Sequence, residues 1–233
     1  MDWARTVAAG TPGTVDAFRV RTAVQTAGRG RRGARWLDVP GAAVLTTLAI
    51  RRGGAWDPGD PNPAVVSLRV GLAVAVAVER IGLRDVGIKW PNDILAAGRK
   101  LCGVLVEADP RWFYVGIGLN LESPIPADAG AFDFPPTGLR SGLPPEAAPI
   151  GPAGVTAAID ATLAETLTDP GWSDRVSARL LWRGEDVVLV SEGSVLAHGR
   201  LAGLSRDGAL LLEDATGVTS RHVAGSLRPA GTR

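Results

Sequence analysis

Sulfur is scarce in this chain of 233 residues, which has one cysteine, Cys102, and one methionine, Met1. A lone cysteine excludes an internal disulfide framework and suits a reducing compartment such as the cytoplasm. Histidine is nearly as rare. His198 and His222 stand far apart without acidic or thiol companions, so they make no zinc site and read as surface residues. Neither sign of charge is in excess: 25 Lys and Arg against 24 Asp and Glu give a formal net charge of +1. That balance argues against a general polyanion or DNA binder, so any basic function must be local. Long hydrophobic runs are also missing. The richest, Ala64–Val78, is interrupted by Arg69 and falls short of the ~20 residues that span a bilayer. The opening "MDWARTVAAG" has neither the basic start nor the apolar core of a secretory signal.

What is present reads as alternating strands and helices. "MDWARTVAAG" suggests a short helix stopped by Gly10 and Pro12, and Ala17–Thr26 a strand running into an arginine-rich loop. Ala42–Ile50 suggests another strand. Ala64–Ile81 alternates like a strand, but its length, Pro63 at its start and Gly82 at its end predict a buried helix. "VGIKW", "KLCGVLVEA" and "WFYVGIGLNL" predict an antiparallel meander, with "AAGR" joining the first pair and "DPR" the second. Ser123–Pro152 is rich in proline and glycine and predicts a long surface connection. Two helices follow, one over 153–167 and one over 173–184 capped by Ser173. From Gly184 short strands separated by glycine turns predict a small β-barrel, which places a domain boundary near Arg183.

The loop "TAGRGRRGARW" contains Gly28, Gly30 and Gly33 in a literal G-x-G-x-x-G spacing. A dinucleotide fold needs small gap residues, a helix opening at the loop and an acid about 20 positions later. Here Arg29, Arg31 and Arg32 fill the gaps, Pro40-Gly41 follows, and "RRGG" stands where the acid belongs. The dinucleotide reading fails. Two readings remain: an Arg-Gly patch for nucleic acid, or a loop whose glycines let the backbone close over an anion while its arginines supply bidentate donors. Further along, Lys89 and Lys100 fall on neighbouring strands of the meander. They are either edge lysines or two cations facing one pocket.

"QTAGRGRRGARW", "KWPND", "GRKLCGVLVE" and "GIGLNL", in this order and spacing, strongly resemble the biotin protein ligases. The resemblance covers nearly the whole chain, including a C-terminal barrel ending in "HVAGSLRP". It implies an α/β (α+β) catalytic domain related to class II tRNA synthetases, with a central mixed sheet, over residues 1–183. An SH3-like β-barrel over 184–233 would follow. It also implies a two-step reaction in which biotin and ATP give biotinyl-5′-AMP and pyrophosphate. A lysine of the biotin carboxyl carrier domain of acetyl-CoA carboxylase then takes the biotinyl group.

Carried over by position, the resemblance assigns Arg29, Arg31 and Lys100 to charge stabilisation, and Gln25 and the backbone around Gly30 to biotin and the adenylate. Gly28, Lys89, Asn92 and Gly103, from the same motifs, complete the expected binding set. Asp93 either orients the acceptor amine or caps a turn. Trp36 stacks on adenine or is a core aromatic, and Asn120 contacts nucleotide. Mg²⁺ would neutralise the triphosphate without a dedicated protein metal site. Cys102 reads as core filler.

Two departures qualify the resemblance. Many members carry an N-terminal DNA-binding winged helix, for which this sequence has no room, so no repressor function is expected. The family's catalytic domain also begins with a strand ending in Ser-Thr that helps bind biotin. "MDWAR" looks like the residues just after it, so either the true start lies upstream or the protein manages without that strand. The alternative is therefore an impaired or non-catalytic biotin- or nucleotide-binding homologue. Lipoate or octanoate transfer in the same fold is disfavoured by the GRGRRG loop. The sequence is compatible with a monomer or with a homodimer through a sheet edge.

Overall fold

The computed structural model describes residues 1–37, 39–123 and 133–231. A six-stranded sheet in the order β1-β2-β6-β5-β4-β3 forms the centre of the fold. Its strands are β1 (Ala17–Thr22), β2 (Ala43–Arg51), β3 (Val86–Lys89), β4 (Asp93–Ala96), β5 (Arg99–Ala108) and β6 (Trp112–Asn120). All five ladders are antiparallel. Among the described residues, the parallel pairing expected of a mixed sheet is confined to two isolated bridges, Ile88 with Leu180 and Lys100 with Pro136.

The predicted meander gains a strand. Asp93–Ala96 pairs with both β3 and β5, so the turn at Ala97-Gly98 joins β4 to β5 and not the first predicted strand to the second. Four residues were too short to show as a separate run in the sequence. Ala97 and Gly98 have φ of 47° and 71°, the left-handed pair that a two-residue hairpin turn requires.

One face of the sheet is covered by α2 (Pro63–Ile81), which is buried along nearly its whole length. The Asn62 side chain accepts from the Ala64 amide at 3.0 Å to cap its start. Gly82, at φ 114°, ends it, with the Leu83 amide donating to the Val78 carbonyl. The predicted helix is therefore present, and its alternating Val and Ala reflect burial on all sides. α4 (Pro152–Leu167) packs on α2, and the Thr162 hydroxyl bonds the Ala73 carbonyl at 2.9 Å between them. The short helix α1 (Asp2–Ala9) lies on the opposite face of the sheet, burying Ala4 and Ala8 beside Trp112 and Tyr114.

Two expectations change after β6. In the segment 123–152, residues 124–132 lie outside the described residues. The rest is not merely surface: the Lys100 amide donates to the Pro135 carbonyl and the Thr137 amide to the Lys100 carbonyl, which pins 135–137 along β5. Leu139, in the single turn α3 (Leu139–Gly142), is fully buried. The helix α5 (Trp172–Ser177) starts from Gly171, so Ser173 lies inside it, buried, and does not cap it.

The second sheet has the order β10-β9-β8-β7-β11. It comprises β7 (Asp186–Ser191), β8 (Ser194–Leu204), β9 (Leu210–Glu213), β10 (Thr219–His222) and β11 (Ser226–Pro229). Register shifts at Leu189/Val190 and Leu201/Gly203 introduce bulges, which bend their strands. Its inner leucines join the same apolar core as α2. The Trp90 indole donates to the Gly208 carbonyl at 3.1 Å, linking the two sheets. No helix among the described residues is long and apolar enough to cross a membrane.

Two predictions follow from this packing. A Cβ at Gly138 would lie 2.3 Å from the Glu122 carbonyl carbon, so Gly138→Ala must displace the strap that holds Lys100. It is expected to cost about 1–3 kcal/mol, read as a lower urea midpoint. Cys102 is fully buried, which pushes its thiol pKa far up. Iodoacetamide should leave it unmodified in the native protein and alkylate it fully in denaturant, as followed by intact mass.

Candidate active site

The face of the sheet turned away from α2 carries a cleft of about 730 Å³. Strand alternation explains its floor. Cys102, Val104, Val115, Ile117 and Leu119 point to the core, whereas Gly103, Leu105, Gly116 and Gly118 point the other way. Gly103 pairs with Gly118, and Leu105 with Gly116, so three of four neighbouring floor positions have no side chain. The space is used. A Cβ at Gly118 would lie 2.7 Å from the Trp36 ring, and one at Gly116 2.9 Å from the Met1 methyl.

One wall is the arginine loop. The Trp36 amide donates to the Gly28 carbonyl at 3.1 Å, and the Gly30 amide to the Ala34 carbonyl at 2.6 Å. Gly28 is required by this return: a Cβ there would lie 2.4 Å from the Trp36 carbonyl oxygen and 2.7 Å from Gln25 Oε1. Arg32 and Gly33 carry the chain round with positive φ. Arg31 is half-buried over the cleft and donates from Nη1 to Asn92 Oδ1 at 3.2 Å. Burial lowers its pKa from the usual 12.5. Asn92 is itself fixed, since its Nδ2 donates to the Val104 carbonyl at 3.0 Å.

The opposite wall holds the two lysines. Lys100 Nζ lies 2.8 Å from Asp93 Oδ1, and Lys89 Nζ 3.9 Å from Asp93 Oδ2. Both cations therefore face one pocket, with a carboxylate between them. Lys89 is only 4% exposed. Its Nζ donates to Ser226 Oγ of β11 at 3.1 Å and sits 5.1 Å from the Phe134 ring centre. Burial pulls the Lys89 pKa below the usual 10.5, and the positive charge of Lys100 acts in the same direction, against the opposing pull of Asp93.

Gln25, Arg29, Gly30, Arg31, Trp36, Lys89, Asn92, Asp93, Lys100 and Gly103 all line this cleft. Two expected contacts do not. Gly28 acts through the backbone of the loop, and Asn120 is buried with its amide donating to the Lys100 carbonyl at 3.3 Å. Arg29 lines the cleft, but its guanidinium is engaged by Asp2. Thr46 and Thr47, in the mostly apolar β2, also line the cleft, as do the paired floor glycines, whose signal in the sequence is "GIG" inside a strand, and Ser226, which no local pattern marks.

Comparison with known proteins agrees with this geometry. Residues 17–121 match the Biotin/lipoate A/B protein ligase family. A biotin–[acetyl-CoA-carboxylase] ligase of Mycobacterium tuberculosis is 37% identical over 100 residues, 42% of this chain but only 36% of that protein. The match thus spans about a third of that relative's length. One from Paracoccus denitrificans is 29% identical over 233 residues, covering 88% of each. Among solved structures, the biotin protein ligase from Aquifex aeolicus in complex with biotin and ATP superposes with a TM-score of 0.74 at 26% identity. That superposition covers 91% of this chain and 89% of the other. The loop, the two lysines and the glycine floor all fall inside the span, residues 17–121, that matches the Biotin/lipoate A/B protein ligase family.

Proposed function

We propose that this protein is an ATP-dependent biotin protein ligase acting on the biotin carboxyl carrier domain of acetyl-CoA carboxylase in the cytoplasm. The observation that carries the reading is the convergence of Arg31, Lys89 and Lys100 on one cleft over a floor largely of glycine. Bringing a carboxylate against a phosphate joins two anions, and fixed cations in a partly dry site lower that barrier. Trp36 adds support: its Nε1 is buried with no acceptor among the described residues, a donor that a polar ligand would satisfy.

In the first step a biotin carboxylate oxygen attacks the α-phosphorus of ATP, the bond to the β-phosphate oxygen breaks, and pyrophosphate leaves. Arg31 and Lys100 neutralise charge gathering on the α-phosphate, and Lys89 holds Asp93 and supplies field from below. In the second step the carrier lysine's neutral amine attacks the acyl carbon, the bond from that carbon to the AMP phosphate oxygen breaks, AMP leaves, and the nitrogen's proton is released to solvent. In this reading Asp93, which lies between Lys89 and Lys100, orients that amine. The carboxylate between the lysines is engaged by Lys100, and no group of three metal-ligating side chains occurs among the described residues. In this reading Mg²⁺ would enter on the phosphates of ATP. We read residues 184–233 as an SH3-like domain that closes the site through Ser226.

The primary test is labelling of a biotin carrier domain with ATP and biotin. Labelled carrier is expected. Absence of both labelled carrier and biotinyl-adenylate would replace catalysis with a binding role. Arg31→Ala should slow adenylate formation, or speed its escape, on the order of 100-fold with an unchanged urea midpoint. The alkaline limb of adenylate formation should lie below pH 10.5, because the charged form of Lys89 is lost as pH rises through its lowered pKa. Across the same window the cost of burying that charge is relieved, so folding stability should rise with pH. Lys89→Met should show lower activity without this limb.

A further inference from the structure

The backbone of residues 28–36 forms hydrogen bonds only within the loop itself, among the described residues. Its placement over the cleft therefore rests on side chains. Trp36 lies on the floor glycines and Arg31 reaches inward to Asn92. Arg29 reaches the other way. Its Nη2 donates to Asp2 Oδ1 at 2.9 Å and its Nη1 to Asp2 Oδ2 at 3.2 Å, a bidentate pair with the first turn of α1. The same Nη2 lies 3.6 Å from Glu107 Oε1 at the end of β5.

Glu107 is held in turn. Arg5 Nη2 donates to Glu107 Oε2 at 2.8 Å, and the Arg5 guanidinium lies over the Tyr114 ring at 4.4 Å. The Tyr114 hydroxyl donates to Asp109 Oδ2 at 2.8 Å. These contacts bind α1, β5 and β6 into a frame at one end of the cleft, and Arg29 is the loop's link to it. Hydrogen bonds from Arg29 hold the Asp2 carboxyl below its usual range.

Resting on the ligase reading, we infer that Asp2 and Glu107 are positioning residues: they clasp Arg29 to hold the arginine loop closed over the adenylate. Arg29 thereby acts as a tether, while Arg31 remains the loop arginine that faces the reacting groups. A clasp of this kind governs retention of a hydrolysable intermediate more than its formation. Asp2 is 77% exposed and Arg29 44%, so each effect is that of a solvent-screened pair.

The experiment compares the native chain with Asp2→Asn, Asp2→Glu, Glu107→Gln, Arg29→Gln and the double variant Asp2→Asn/Arg29→Gln. Escape of biotinyl-adenylate is measured by trapping, its formation by pyrophosphate release, and loop opening by amide hydrogen exchange over residues 28–36 without ligand. Asp2→Asn and Glu107→Gln should each speed escape and loop exchange about two- to fivefold, with formation changed less and the urea midpoint unmoved. Asp2→Glu, which keeps the charge, should restore the native values. The double variant should be no worse than Arg29→Gln alone. Unchanged loop exchange in both carboxylate variants, or additive effects in the double variant, would overturn the clasp. If the native chain forms no adenylate, the ligase reading fails, and the clasp is still decided by loop exchange in the ligand-free protein.

Discussion

The structure depends on the two-sidedness of β5 and β6. On one side Cys102, Val104, Val115, Ile117 and Leu119 bury in the core that contains α2; on the other, Gly103, Gly116 and Gly118 leave a trough. Burial on the first side fixes the register of the second, because a one-residue slip would put leucine and isoleucine into the cleft and glycine into the core. The cleft is thus maintained by hydrophobic packing that never touches it. Loop, lysines and carboxylate are arranged around a floor set by that register.

Charge is distributed around the trough with little waste. Asp93 would be costly as a lone half-buried carboxylate, and Lys89 as a lone buried ammonium. Placing Asp93 between Lys89 and Lys100 offsets both penalties and leaves a net positive wall. The arginine loop divides its labour similarly. Arg29 meets carboxylates at one end of the cleft, and Arg31 donates over it to the neutral amide of Asn92.

Much of this was legible in the sequence because the relevant signals are local. Asn62, Pro63 and Gly82 bracket α2, and the G-R-G-R-R-G loop shows its chemistry through the arginines that spoil a dinucleotide reading. The two lysines were legible as neighbours because antiparallel hairpins bring short sequence separations together. β4 was not, since four residues that finish a turn and start another carry no periodicity of their own. Asn120, expected from the resemblance to contact nucleotide, is buried, and its amide donates to the Lys100 carbonyl, a contact across two strands that its own stretch does not mark. Ser226 and the Asp2–Arg29 pair depend on contacts between distant segments, which no single stretch encodes.

The bond from Lys89 to Ser226, with that from Trp90 to the Gly208 carbonyl, ties adjacent residues of the "KWPND" segment to β11 and to the turn before β9. These partners lie 137 and 118 positions further along the chain. During synthesis, the Trp90 indole is without this acceptor until residue 208 has emerged, and the Lys89 ammonium is without this hydroxyl until residue 226 has. Both partners of this segment therefore come from the last quarter of the chain, so the surroundings of Lys89 in the cleft are completed only when β11 has been made.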